Sequence, residues 1–237
     1  MGFIRLFYDW DLAAAEREFI RGLELAPNHP PAHYWLATAR AVTGELDQVF
    51  AEDEKALALD PMSPFTNAHL GWMLLLSGEY DRSIQMTRKA VELNPNLVIG
   101  HMLLGQALIL KSRFPQAIAE LREAVRLSEG DAWMKGFLAY AYAASGRRDL
   151  ASKLLEELRG QTTASGYRRS IPIALAYAGL GDKDRAFEFL DKAYYERDPW
   201  LEAIWADHLY DSLHSDPRWI PLIKRVGVVP ENLLTTP

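Results

Sequence analysis

The stretch "HLGWMLLLSGEYDRSIQMTRKAVELNP" (residues 69–95) contains two long segments that read as helices, parted by a single glycine-centred break. The first helix is expected over "PFTNAHLGWMLLLS" and the second over "YDRSIQMTRKAVEL", with "GE" between them, so that the unit spans 64–93. Ser63 before Pro64 offers an N-cap followed by a proline in the first turn, where a missing N–H costs little. Gly78 supplies the left-handed residue that ends the first helix. Pro95 blocks continuation of the second.

The elements of this stretch recur along the chain. Gly44, Gly78 and Gly146 fall on a 34-residue grid with Ser112 in the vacant place, and Pro27, Pro61 and Pro95 share that period. So do Leu36, Leu70, Leu104 and Leu138, and likewise Leu25, Leu59, Leu93 and Leu127. Small residues recur where paired helices must approach closely: Ala37, Gly71, Gly105 and Ala139 on first helices, Ala56, Ala90 and Ala124 on second ones. A further copy over 170–199 has Gly181 one place late, which a single insertion in the preceding turn explains. One such pair cannot bury its apolar face alone, so neighbouring pairs must stack.

A 34-residue period with this residue pattern resembles the tetratricopeptide repeat (TPR) family. The resemblance runs from near Asp9 to Pro199 and is best over 69–95. It implies an all-α fold: a right-handed superhelical solenoid of about six helix-turn-helix repeats closed by a C-terminal capping helix. Arg40 and Leu74 depart from the family pattern, standing where an aromatic is usual, and Val49 and Ser83 stand where alanine is usual. Leu158 replaces a small residue in the fifth copy, and Pro172 lies early in the sixth.

Carried back one period, Gly44 falls on Trp10 and Ala56 on Gly22, so 11–27 reads as the second helix of a first repeat. Only "MGFIRLFY" stands for that repeat's first helix, and the chain is expected to begin inside a structural unit. Three parts follow: a truncated first repeat over 1–29, five further repeats over 30–199, and a capping helix with its tail over 200–237. In the tail, Ser215 or Asp216 is placed to cap a short helix starting at Pro217, with Trp219, Leu222, Ile223 and Val226 on one face. Its expected task is to cover the apolar end of the last repeat. At the other end, Phe3 and Phe7 are expected on an open apolar edge through which two copies associate. The stretches "YDWDLAAAEREFIRGLELAPNH" (8–29) and "YDSLHSDPRWIPLIKRVG" (210–227) are also similar to tails that follow winged-helix, adenylate-cyclase or serine/threonine-kinase domains in bacterial signalling proteins. That resemblance implies a sensing or partner-docking module.

Composition narrows the partners. Thirty-two acidic residues against 26 basic ones give a net charge of -6, leaving no basic excess to neutralise phosphates, so nucleic acid is not expected. The doublets Arg147–Arg148 and Arg168–Arg169 are too short to alter this. The chain has no cysteine, which excludes disulfides, thiol nucleophiles and cysteine metal sites. Its greasiest stretch, "GWMLLLSG" (71–78), is far too short to span a bilayer, so no membrane role and a cytoplasmic location are expected.

Few residues carry the marks of chemistry. His33 and His101 occupy equivalent places two periods apart and His69 lies near the place between, so the three could line one wall as metal ligands. Neighbouring helices stand about 10 Å apart, however, which favours packing histidines with satisfied ring nitrogens. His208 with Asp207 and Asp211, and His214 with Asp216, could form acid–base pairs, but no nucleophile motif, phosphate loop or metal-ligand pattern accompanies them. Capping and surface roles fit them better. No catalytic residue, metal or cofactor is expected.

The TPR resemblance implies that one face of each first helix lines a concave groove. Matched position by position, that face carries Tyr34, Thr38, Phe65, His69, Trp72, Leu76, Met102, Gln106, Ile109, Trp133, Phe137 and Tyr140. So apolar and aromatic a lining is the mark of a surface that binds a protein or peptide partner. Two other functions are compatible with the same sequence: a sensor module detached from a longer protein, and a self-assembling structural repeat.

Overall fold

The computed structural model describes residues 1–9, 11–43, 46–160, 170–201 and 204–227. Among these residues there are fourteen α-helices and no strand. A stub, α1 (Gly2–Phe7), precedes α2 (Leu12–Leu25). Five helix pairs follow: α3 (Pro30–Thr43) with α4 (Leu46–Leu59), α5 (Pro64–Leu76) with α6 (Tyr80–Leu93), α7 (Val98–Leu110) with α8 (Phe114–Leu127), α9 (Ala132–Ala144) with α10 (Arg148–Gly160), and α11 (Ser170–Leu180) with α12 (Lys183–Tyr195). The tail adds a 3₁₀ turn at His208–Tyr210, then α13 (Asp211–His214) and α14 (Trp219–Val226).

The turns within pairs are built alike. Gly78, Gly146 and Gly181 adopt φ of 81°, 80° and 77°, and each following amide reaches back to a carbonyl five residues earlier: Glu79 to Leu74, Arg147 to Tyr142, Asp182 to Tyr177. Ser112 takes the same conformation at φ 56°, with Arg113 N–H donating to Leu108 at 2.8 Å. Among side-chain caps, the Ser63 hydroxyl accepts from Thr66 N–H, and the Asp131 and Asp182 carboxylates accept from Trp133 and Arg185. Gly44, Trp10 and the Arg168–Arg169 doublet lie outside the described residues.

The small grid residues sit where helices touch. Ala37, Ala56, Ala90, Ala124 and Ala139 are fully buried. A Cβ added at Gly71 would stand 2.5 Å from the Thr87 side chain, and one at Gly105 2.5 Å from Leu121. Ser83 replaces the usual alanine without expansion, its hydroxyl donating to the Gly71 carbonyl at 2.7 Å. Arg40, in an aromatic's usual place, instead ties α3 to Glu16 of α2 at 3.1 Å and to Glu52 of α4 at 3.5 Å. Leu158 is buried, and Pro172 packs its own backbone onto α9, where a Cβ at Gly136 would come within 2.8 Å of it.

Successive first helices, α3, α5, α7, α9 and α11, pack on one another, whereas the second helices are held further apart. The first helices therefore form the inner, concave layer. One continuous core runs from α5 through α14, and two small cores serve the N-terminal end. In the stub, Leu6 is buried and Gly2 lies against the Phe19 ring, but Ile4 and Tyr8 face outward. Helix α14 starts at Trp219, two residues later than expected, because the Asp216 backbone and carboxylate hold Trp219 N–H and Arg218 N–H in a turn. Its Trp219, Leu222, Ile223 and Val226 are buried as the pattern required, and Arg225 pairs with Asp191 of α12.

Two substitutions probe this frame in opposite directions. Gly136→Ala meets backbone that cannot swing aside, and thermal melting should show a loss of about 1–3 kcal/mol. Ser112→Gly relieves a left-handed backbone at an exposed turn and should raise stability by about 0.5–1 kcal/mol once the greater freedom of the unfolded chain is set against it.

Candidate functional site

The inner layer presents aromatic side chains from three helices, α3, α5 and α9. Tyr34 of α3 stands 5.3 Å from the Phe65 ring and 4.9 Å from the His69 ring of α5, and His69 lies 5.7 Å from Trp72. Phe65 is exposed, Tyr34 half-buried and His69 buried. Thr38 is buried as well, its hydroxyl 2.8 Å from His69 Nε2 and donating to the Tyr34 carbonyl. Further along, Met102, Gln106 and Ile109 of α7 and Phe137 of α9 are buried, while Leu76, Trp133 and Tyr140 are half-buried.

Much of that burial comes from the chain's own tail. Arg197, at φ 51°, ends the continuation of α12, and Asp198 accepts the Trp200 N–H at 3.1 Å to set a turn. The segment then runs back across the inner layer with Leu201, Ile204, Leu209 and Tyr210 buried. Trp200 packs 6.4 Å from Trp72 and 5.9 Å from Trp133, ring centre to ring centre. Gln106 Nε2 donates to both Asp207 oxygens at 3.0 Å, and His208 Nε2 lies 3.2 Å from the Leu76 carbonyl. The tail was expected only to cap the last repeat. Its helix α14 does so, but the preceding segment lies on the surface the sequence marked as a groove.

Between tail and repeats remains a cavity of about 80 Å³. Trp72, Leu76, Met102, Gln106, Trp133 and Phe137 line it from the repeats, and Trp200, Ile204, Asp207 and Tyr210 from the tail. Of the predicted groove residues, these six are thus brought together; Tyr34, Thr38, Phe65 and His69 form a second cluster nearer the N-terminus. Ile109 is buried and Tyr140 half-buried, both packed within the main core.

Asp207 combines capping with enclosure. Its carboxylate accepts the Leu209 N–H at 3.0 Å, yet desolvation raises the group to about 6, outweighing the Leu209 and Gln106 hydrogen bonds. The Tyr140 phenol is likewise pushed up to about 12, by burial first and then by the charges of Asp207 and Asp211. Sequence reasoning placed Asp207 and His208 at the surface because nothing in their spacing signals a return to helices a hundred residues earlier.

The three first-helix histidines have structural partners. His33 Nδ1 meets Glu52 at 2.6 Å and its Nε2 meets the Pro27 carbonyl at 2.8 Å. Two periods on, His101 repeats the arrangement with Glu120 at 2.7 Å and Pro95 at 2.9 Å. Asn67 takes the equivalent place between them, its amide donating to Pro61 and Ser63 carbonyls at 3.1 and 2.8 Å. His69 belongs to a different tie, meeting Asp53 of α4 at 2.8 Å. Desolvation acts to raise the Glu52 carboxyl, but hydrogen bonds from His33 and Lys55 outweigh it and the net shift is downward. Sequence reasoning missed these partners, although Glu52/Glu120 and Pro27/Pro95 share the spacing of His33/His101.

A solenoid of helix pairs whose concave face carries aromatic residues and a returning tail defines the class: a helical repeat protein. The solenoid is of the TPR kind. Residues 69–132 and 108–169 match models of the tetratricopeptide repeat. Among solved structures, the chain is similar to TTC0263, a thermophilic TPR protein of Thermus thermophilus, at 20% identity over 80% of this chain and 94% of that one, with a TM-score of 0.61. It is similar to PilW, a type IV pilus biogenesis factor, at 16% identity over 86% and 94% of the two chains, with a TM-score of 0.62. YrrB, described as a TPR protein with an unusual peptide-binding site, aligns at 22% identity over 83% and 96%, with a TM-score of 0.50. No curated protein matches the chain by sequence.

The raised Asp207 carboxyl has a measurable consequence. A group whose folded value lies above its unfolded one favours folding when protonated, so this contribution is full below about 3.8 and is lost as pH rises through about 6. Asp207→Asn removes the cost of an ionised, enclosed carboxylate while keeping an acceptor for Leu209. It should raise the melting temperature at pH 7.5, by an amount corresponding to about 1–3 kcal/mol, and leave it unchanged near pH 4.

Proposed function

We propose that this protein is a non-catalytic interaction scaffold that receives an apolar, aromatic peptide segment of a partner protein on the N-terminal half of its concave face, around Tyr34 and Phe65. One observation carries the reading. The C-terminal half of the same face already holds a short segment of the chain's own tail, Trp200 and residues 204–210, through indole packing on Trp72 and Trp133 and side-chain ties of Asp207 to Gln106 and of His208 to the Leu76 carbonyl. The adjoining half offers the same kind of surface, with Phe65 exposed and Tyr34 half-exposed beside it. Aromatic anchors of this sort concentrate binding energy in a few contacts. The helical repeat fold is one used for protein–protein interaction, and the two sequence stretches similar to bacterial regulator tails favour a role in bacterial signalling.

Two further readings have their own support. A sensor role, as a module of a longer winged-helix, cyclase or kinase protein, is favoured by the cavity shared between repeats and tail, because a ligand there would act on the tail's seating. Self-association through the N-terminal edge is favoured by the exposure of Ile4 on α1, of Tyr8 just after it, and of Ile20 and Leu25 on α2. The second copy is the occupant this apolar edge suits. Phe3 also packs on Trp35, with ring centres 5.1 Å apart, and the Phe7 side chain lies outside the described ones.

Peptides selected from a displayed random library against the purified chain test the docking reading. Aromatic peptides should be recovered, and Tyr34→Ala and Phe65→Ala should each weaken them by about tenfold, the scale of a hot-spot truncation. Binding unchanged in both variants, with helical content intact, would place the docking surface elsewhere. For the edge, sedimentation should show concentration-dependent dimerisation that Ile4→Glu abolishes while Phe3 keeps its contact with Trp35. A strict monomer at high concentration would exclude it.

A further inference from the structure

Two polar groups at the cavity lack the partners their chemistry calls for. Tyr210 is buried and lines the cavity, and its hydroxyl has no hydrogen-bond partner among the described residues. Leaving such a group unsatisfied costs about 1–3 kcal/mol. The Asp207 carboxylate receives only neutral donors, the Gln106 amide and the Leu209 N–H, and no lysine or arginine pairs with it among the described residues. The neighbouring His208 ring turns its nitrogens to Asp211 and to the Leu76 carbonyl. Asp211 and Asp198 add negative charge nearby, and burial together with Asp207 and Asp198 pushes the Tyr210 phenol far above its usual range. The remaining wall includes Trp72, Trp133 and Trp200, whose rings keep some exposure and so give the cavity an edge at the surface.

We propose that this cavity binds an alkylammonium group, with the ammonium between the Asp207 carboxylate and the Tyr210 hydroxyl and the alkyl stem against the tryptophan rings. An anion is repelled by the carboxylate. A neutral apolar group leaves the Tyr210 hydroxyl without a partner and the Asp207 charge uncompensated. An ammonium has three donors, enough to serve the carboxylate and a phenol oxygen together, and indole faces attract cations. Size sets the scale of the ligand. The cavity of about 80 Å³ is roughly half of an engineered cavity that holds benzene. It therefore takes a headgroup and its first carbons, with the rest of the ligand leaving past the tryptophans. A primary ammonium, a compact point charge, suits it better than a planar guanidinium. A free amine and a lysine side chain both supply this chemistry. The proposal does not rest on the docking reading, since it concerns the other half of the inner face and different side chains read it out.

The test is a titration of the full chain with n-butylammonium at pH 7.5, followed by intrinsic tryptophan fluorescence, with n-butanol and butyrate as isosteres. A saturable response is expected to n-butylammonium, with either isostere at least about tenfold weaker. Tyr210→Phe, which removes a hydroxyl that has no partner among the described residues, and Asp207→Asn should each weaken binding by about fivefold or more. Circular dichroism checks that both remain folded; should Asp207→Asn unfold, Tyr210→Phe decides alone. Butanol binding as well as butylammonium, or variants that bind like the parent, would overturn the proposal. The amide of acetyl-Gly-Lys-Gly separates the sources: tighter binding than n-butylammonium assigns the site to a lysine of a polypeptide, and weaker binding to a free amine.

Discussion

Everything in this molecule depends on how closely neighbouring helices can approach. At Gly71, Gly105, Gly136 and Gly179 a single added carbon would collide with the facing helix, in the last two cases with its backbone. Contacts that tight set the helix spacing, and the spacing repeated along the chain sets the curvature. The inner layer is the compressed side, so the side chains that point into it are driven together. Aromatic rings from α3, α5 and α9 meet there because the frame leaves them little other room.

Polar ties fix the angle at which each pair meets the one before it. His33, Asn67 and His101 occupy the same place in consecutive repeats, and each donates to a carbonyl at the foot of the preceding second helix. The histidines also reach a glutamate on their own partner helix. One polar side chain at the head of a first helix thereby joins two repeats. The family pattern places tryptophan at this position in "W-x₂-L-G", and the sequence "HMLLG" (101–105) has histidine instead. A hydrogen-bonded joint takes the place of a packed one.

How much of this was legible in the sequence follows from which interactions are periodic. The grid of Gly78, Pro95 and Ala90 gave away the helix pairs, since each residue answers a local need that recurs every repeat. The aromatic inner face was legible for the same reason: Trp72 and Trp133 are placed by helix geometry alone. The occupant of that face was not. Residues 200–210 have no counterpart elsewhere in the chain, and their seating depends on Trp200 finding Trp72 and Trp133 and on Asp207 finding Gln106, pairings that no spacing announces. Burial of Met102 and Gln106, expected as exposed groove residues in the absence of a covering segment, follows directly from that seating.

The returning tail also changes what kind of object the solenoid is during folding. Repeat arrays hold only neighbour-to-neighbour contacts, so their ends can open one unit at a time. Here the Gln106–Asp207 and His208–Leu76 contacts join residues 101 and 132 positions apart in the chain. The clasp closes α5 through α14 into a ring of mutual dependence, and that stretch coincides with the single continuous core. The first repeats are served mainly by two small cores, one of which is shared with Met73 of α5. Local opening therefore has a natural boundary near α5: amides of α1–α4 exchange from partly open states, while those beyond it are released only when the clasp lets go. A long-range contact of this sort slows folding, since loop closure must precede it, in return for making most of the array behave as one cooperative unit.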